Sequence, residues 1–384
     1  MAIGTAATVV GSLPVFFTAA MAVQLSADLG FGPVGIGAAV GTFFGTMAAA
    51  SMYLGRVADR LGATLSLRIA TLGAATSAFG IALGVRDFAG LLAGLVVAGL
   101  AASLAQPAAN RLLMNRVRLA RLGSAFGLKQ SAPPIASMLA GLAVPAIALT
   151  VGWRFAYVGA GVLALAVAIA VGPRPDSAPA RVGRRARTRP DPLPHRLTLV
   201  TLALGFGLAF AASSVVLGFA VDSAVRAGIS PQRAGLIFAA ASLTAIATRL
   251  TAGVACDRYT FAPLNLSALL LTLGAVGVGL LATGRPTVLT VGTVLALAGT
   301  WGFPGVFWFA LVRAYPTTPG RITGTMAPAA IGGVIGPVGF GAIATNAGYP
   351  VAWGIAGGLA LLASLAMLVG ARRLSDLAAA DVGR

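Results

Sequence analysis

Two basic side chains lie inside long apolar runs of this 384-residue chain: Lys129 in FGLKQS and Arg249 in TAIATRLTAG. A cation within a membrane-spanning helix costs roughly 3 kcal/mol on insertion scales, so each requires a compensating group. The chain offers few. It has no glutamate, and its nine acidic residues (Asp28, Asp59, Asp87, Asp176, Asp191, Asp222, Asp257, Asp376 and Asp381) all fall outside the middles of the apolar runs. Two cations without a carboxylate partner suggest an anion site, with the missing charge supplied by a small-molecule anion. The polar residues Gln106, Asn110, Gln130 and Thr248 are candidates to line that site. Trp308 joins them from the aromatic cluster Trp301, Phe303, Phe307, Trp308 and Phe309. Two simpler readings stand beside this one. Lys129 could snorkel to lipid headgroups, and Arg249 could bond backbone carbonyls at a helix break.

Other chemistry is poorly provided for. A proton relay on a buried carboxylate or imidazole has no candidate, since the one histidine, His195, sits in a polar stretch. A membrane protease or transferase would need paired Asp, a Glu/His metal set or a Ser/Lys dyad. The expectation is therefore a protein that is not an enzyme and takes no cofactor. Cys256 is the single cysteine, which excludes an internal disulfide and a multi-cysteine metal site.

The elements that must position these side chains follow from composition. Hydrophobic residues make up 58% of the chain and charged ones 9%, against about a quarter charged in soluble proteins. Twelve apolar runs, at 4–24, 33–54, 67–84, 89–112, 124–148, 154–172, 197–220, 234–255, 264–282, 288–312, 324–345 and 351–370, each approach the roughly 20 residues that span a bilayer as helix. The fold class is an all-α integral membrane protein. Lys+Arg number 27 against 9 Asp+Glu, a net +18. In a soluble protein this would suggest nucleic acid. Here the arginines sit in short loops, 21 on one side, with Arg249 counted at the inner end of its helix, and 5 on the other (Arg86, Arg154, Arg226, Arg233 and Arg285). The positive-inside rule puts the Arg-rich side and both termini in the cytoplasm. The partner is then the lipid bilayer, not nucleic acid, and the expectation is a monomeric multi-pass protein of the cytoplasmic (plasma) membrane. The first run lacks a cleavage site and reads as a retained helix. Residues 173–196, with seven Arg and six Pro, read as a solvated linker. They separate an N-terminal half, 1–172, from a C-terminal half, 197–384.

The halves carry matching signatures. GRVADRLG follows the second run and GVACDRYT the eighth, so that Gly55, Asp59 and Arg60 correspond to Gly253, Asp257 and Arg258. Arg121 and Trp153 likewise match Arg321 and Trp353. Two signatures at nearly one offset across a central linker indicate duplicated halves. With GRVADRLG the sequence resembles the major facilitator superfamily, whose loop signature joins helices 2 and 3. The resemblance implies twelve helices in two pseudo-symmetric six-helix bundles, and a secondary transporter working by alternating access. It also implies a cytoplasmic gate built on Gly55, Asp59, Arg60 and Gly62 and on Gly253, Asp257 and Arg258. In that gate Asp59 meets the start of helix 11 near Gly324 and Asp257 the start of helix 5 near Gly123. The glycines allow close backbone approach and the arginines brace the loops. An Arg four residues before a Gly in helix 8 is similar to monocarboxylate and oxalate transporters of this superfamily; QPAAN and FGLKQS are similar to cyanate-permease-type members. The expected cargo is a small organic anion, monocarboxylate-like, with proton coupling through the cargo or Lys129 left open. Efflux of amphipathic drugs or natural products is the alternative, and a non-transporting sensor or scaffold the alternative of another class.

Overall fold

The structure is a computed structural model that describes residues 2–114, 122–172, 196–259, 261–315 and 325–382. Among the described residues, twelve helices are long and apolar enough to cross a membrane. They are α1 (Ala2–Ala20), α2 (Pro33–Leu61), α3 (Ala63–Gly84), α4 (Phe88–Asn110), α5 (Gly123–Ala148), α6 (Trp153–Val171), α7 (Arg196–Arg226), α8 (Pro231–Arg258), α9 (Pro263–Leu281), α10 (Pro286–Ala314), α11 (Ala327–Asn346) and α12 (Tyr349–Asp376). An all-helical answer is what hydrocarbon demands, because a helix satisfies its backbone groups within one segment. Pro33, Pro231, Pro263 and Pro286 open their helices, where a missing N–H costs nothing. Gly62 ends α2 at φ +82°, a conformation that L side chains rarely adopt. The bulk of the linker, with His195, lies outside the described residues, as do Arg121, Arg321 and Gly324.

Two seams join the first six helices to the last six, and both depend on glycine. Along α5 and α8, a Cβ on Gly123 would come 2.6 Å from the Gly253 carbonyl, one on Gly127 2.6 Å from the Arg249 carbonyl, and one on Gly141 2.6 Å from the Gly235 carbonyl. From Gly123 to Gly141 the rise is ~27 Å, close to the whole hydrocarbon thickness. One turn before Gly141, the Ser137 hydroxyl shares a 2.7 Å hydrogen bond with that of Ser242. The second seam, between α2 and α11, is closest away from the Arg-rich ends: a Cβ on Gly37 would sit 2.2 Å from the Pro337 carbonyl and one on Gly341 2.6 Å from the Pro33 carbonyl.

The matching tryptophans make related contacts. Trp153 Nε1 donates to Asp28 at 2.7 Å, and Trp353 Nε1 to the Ser223 hydroxyl at 3.0 Å. The apolar-run reading needs one correction here. Asp222, expected in the loop beyond residue 220, is inside α7 because the helix continues to Arg226. It is 5% exposed. Arg226 Nε donates to it at 2.8 Å and Tyr349 Oη donates to the same oxygen.

Candidate functional site

Two helices break where they approach the centre. In α10, helix runs to Thr300 and resumes at Pro304. Proline has no N–H, so the Thr300 carbonyl loses its usual donor; the Ser213 hydroxyl of α7 donates to it instead, at 2.7 Å. Trp301 Nε1 returns a bond to the Ser213 carbonyl at 2.9 Å. In α5, helix is interrupted at Ser131 ahead of Pro133 and Pro134, which leaves the Lys129 and Gln130 carbonyls without their i+4 donors. Pro107 lies inside the continuous helix α4, one residue after Gln106, and removes one donor from its ladder. Discontinuous helices around a midplane cavity are the usual way a transporter gathers polar backbone at its site.

Arg249 of α8 meets the α10 break directly. Its Nε donates to the Trp301 carbonyl, and its guanidinium carbon lies 5.8 Å from the centre of the Trp301 ring. Nη1 is buried with no hydrogen-bond partner. The backbone of Arg249 touches Gly127, so Lys129 occupies the same layer, and the two charges act on each other. Lys129 Nζ donates to Gln106 Oε1 at 2.6 Å and to Gln130 Oε1 at 3.2 Å. Neither cation has much access to water: Lys129 is 7% exposed and Arg249 2%.

Arg249 and the two glutamines bonded to Lys129 border a cavity of ≈ 120 Å³ between the two sets of six helices. Gln106, Gln130 and Arg249 line it, with Ser12, Ser213 and Thr300 and an aromatic wall that includes Phe16, Phe43, Phe44, Phe206, Phe210 and Trp301. No carboxylate lines it among the described residues. A larger groove, ≈ 670 Å³, runs along α7, α11 and α12 on the other side of α7, but its lining is almost wholly apolar and carries no charged side chain.

Four expected site residues stand apart from the cavity lining. Lys129 reaches it only through Gln106 and Gln130, to which its Nζ donates. Thr248 packs against Gly302 at the α10 break and gives its hydroxyl to the Thr244 carbonyl at 2.9 Å. Asn110 lies a turn beyond Gln106, half-buried. Trp308 packs on Phe206 and Phe307, each 5.5 Å away. Trp301 and Phe303, at the break itself, take the cavity positions instead. The α7 contribution (Phe206, Phe210 and Ser213) was not anticipated. The paired hydroxyls of Ser213 and Ser214 in an otherwise apolar run are the signal that would have pointed to it.

The gate motifs are unequal. The Asp257 carboxylate accepts from Gly123 N at 2.7 Å, from Ser124 N at 2.8 Å and from the Ser124 hydroxyl. These are unsatisfied donors at the start of α5, where a negative charge is favoured. Gly253 supports the contact, since its Cβ would lie 2.7 Å from the Gly123 carbonyl. For Gly55, a Cβ would meet nothing within 4 Å among the described residues, and the segment expected opposite it, near Gly324, lies outside them. Asp59 is exposed at the end of α2 and has an interaction partner, and its expected partner at Gly324 is outside the described residues. Arg60 and Arg258 are exposed.

Twelve membrane-crossing helices among the described residues, two glycine seams and a cavity with a few polar groups between the two sets of six fit a membrane transporter of the alternating-access type. The family model of the Major Facilitator Superfamily matches residues 4–327, and the chain belongs to that superfamily. No curated protein sequence matches it. Among solved structures, the chain is similar to the proton:xylose symporter XylE bound to 6-bromo-6-deoxy-D-glucose, at TM-score 0.71 and 16% identity over 94% of each chain. It is also similar to the human organic anion transporter MFSD10 (TETRAN), at TM-score 0.68 and 16% identity, over 95% of this chain and 98% of that one. At such identities the likeness is one of fold. The protein is a secondary transporter.

Proposed function

We propose that the cargo is a small organic anion, monocarboxylate-like, held between Arg249 and Lys129. The observation that carries this reading is Arg249 Nη1, a charged donor buried without a partner beside a cavity that no described carboxylate lines. Leaving a buried donor unsatisfied costs about 1–3 kcal/mol, and more when it is charged. An anion in the cavity would remove that cost and supply the charge both cations lack. The fold is compatible with such cargo, since MFSD10 is an organic anion transporter. Purified protein should be thermally stabilised by sodium butyrate but not by its uncharged isostere butyramide. At a hundredfold excess over Kd the expected stabilisation is ~2.7 kcal/mol. Equal shifts with the two compounds would remove the case for an anion.

The orientation belongs to the same proposal: the Arg-rich ends and both termini face the cytoplasm of a cell whose cytoplasmic membrane holds a monomeric protein. Ser230 and Ser375 are exposed near opposite ends of the bundle. In a Cys256→Ser background, an impermeant thiol reagent added to intact cells should label Ser230→Cys and spare Ser375→Cys. The opposite pattern would invert the protein.

Asp257 is proposed as the latch of the cytoplasmic gate, with Asp59 as its counterpart. Asp257→Asn keeps the shape but removes the charge from two backbone donors. A carboxylate at a helix start is worth up to ~2 kcal/mol when partly buried, so the closed gate should lose several-fold in population. Cys256, 5% exposed and beside Gly123 in the seam, is a built-in reporter. Its N-ethylmaleimide labelling should accelerate several-fold in Asp257→Asn while transport slows. Unchanged labelling and unchanged flux would reduce the motif to a solvated loop.

A further inference from the structure

We infer that Lys129 is a positioning residue: its ammonium holds the carboxamide oxygens of Gln106 and Gln130, so that the anion is met by their N–H groups, an inference that rests on the anion reading above. Gln106 and Gln130 line the cavity and Lys129 does not. Both glutamines are half-buried where Lys129 is buried. Lys129 Nζ lies 2.6 Å from Gln106 Oε1 and 3.2 Å from Gln130 Oε1. An ammonium carries three donors and no acceptor, so it can hold a carboxamide only by its oxygen. That bond fixes which end of each glutamine faces Lys129. What remains to face the cavity is the nitrogen end, with two N–H donors on each. Turned the other way, the same carboxamides would offer the anion an oxygen and repel it.

The rest of the polar lining has its hydrogens committed to backbone carbonyls. The Ser12 hydroxyl donates to Thr8 at 2.9 Å and the Thr300 hydroxyl to Ala296 at 2.7 Å. The Ser213 hydroxyl lies 2.7 Å from the carbonyls of both Ala209 and Thr300, and Trp301 Nε1 donates to the Ser213 carbonyl. The donors left for an anion are the two carboxamides and the Arg249 guanidinium. Gln106 stands on α4 and Gln130 on α5, while Arg249 stands on α8. An anion between them is therefore gripped by both sets of six helices at once. Lys129 adds its charge from behind and keeps its own bonds throughout.

The test separates amide from ammonium. The chain has four glutamines, Gln24, Gln106, Gln130 and Gln232, so side-chain ¹⁵N labelling of glutamine gives a spectrum of few amide pairs. Gln24→Asn and Gln232→Asn identify the two that lie away from the cavity. Saturating sodium butyrate should move the Gln106 and Gln130 pairs downfield, as hydrogen bonds to an anion do, and butyramide should not. Gln106→Met and Gln130→Met, which leave Lys129 charged and freer to reach the cavity, should each weaken butyrate binding about tenfold or more. Lys129→Met should weaken binding too, and at equal occupancy the downfield shifts should shrink. Suppose instead that both glutamine variants bind butyrate like wild type and both amide pairs stay in place, while Lys129→Met and Arg249→Gln lose binding. The ammonium itself is then the ligand, which overturns this inference and leaves the anion reading standing. If wild type binds no butyrate, or Arg249→Gln binds it unchanged, the anion reading fails and takes this inference with it. The wild-type spectrum alone decides, should the methionine variants not fold.

Discussion

Arg249→Gln should weaken binding of butyrate by roughly 10- to 100-fold, the loss expected when a charge-assisted hydrogen bond of ~1.5–3 kcal/mol disappears. Arg249→Lys should do no better. The guanidinium has three contacts to satisfy at once: Nε to the Trp301 carbonyl, its face to the Trp301 ring, and Nη1 to the cavity. A single ammonium is a point charge and cannot divide itself among them. Stability separates this role from a merely structural one. If Arg249 were there to pin the α10 break, Arg249→Met would lower Tm. If it is there for cargo, removing a buried cation with an unpaired donor relieves a desolvation cost. Arg249→Met should then bind no butyrate and melt no lower than wild type in the absence of ligand. Lys129→Gln, tested alongside, should weaken binding or flatten its pH dependence, according to whether Lys129 holds the anion or carries a proton. Affinities that agree within about twofold across folded variants would place the cargo elsewhere.

The sequence was more informative about elements than about faces. Twelve spans were legible because hydrocarbon leaves helices almost no competitor, and observed bounds differ from the expected runs by a few residues at most ends. Asp222 shows where that reading stops. Hydropathy ended the seventh run at residue 220, but α7 runs on to Arg226, since Tyr349 and Arg226 satisfy the carboxylate inside the helix. The two intramembrane cations were visible as charges out of place. What they touch was not, because it depends on breaks in α5 and α10 whose backbone carbonyls have no sequence signature beyond Pro133, Pro134 and Pro304. Trp308 illustrates this. Reading span 10 as one continuous helix gave no way to choose among its aromatics, and the turn at Trp301–Phe303 decides which of them reach the cavity. Arg249 bonded to a backbone carbonyl was one of the simpler readings of the sequence, and that bond is present. The unpartnered Nη1 is what a purely structural role leaves unexplained.

The repeated glycines show the same limit, and they give the second large prediction. Gly55 and Gly253 hold equivalent places in the two motifs, and among the described residues Gly253 faces backbone while Gly55 does not. Its Cβ would lie 2.7 Å from the Gly123 carbonyl oxygen, 3.2 Å from its carbonyl carbon and 3.3 Å from the Gly127 Cα. None of these can rotate away as a side-chain tip would. Gly253→Val must push α5 from α8, lengthening the Asp257 bonds to Gly123 and Ser124 as it does. Overpacking of this kind costs ~1–3 kcal/mol. Drawn from the closed gate alone, that is roughly a 5- to 100-fold shift toward protein open on the Arg-rich side. Transport should fall in proportion, and N-ethylmaleimide should reach Cys256 correspondingly faster. Gly55→Ala is the matched control. With nothing within 4 Å of its Cβ among the described residues, and about 0.5–1 kcal/mol of helix propensity to gain, it should leave flux and labelling at wild-type values. If the two substitutions behave alike, either both silent or both damaging, then close approach at the α5–α8 seam is not what holds the gate, and the duplicated motifs act through their charges alone.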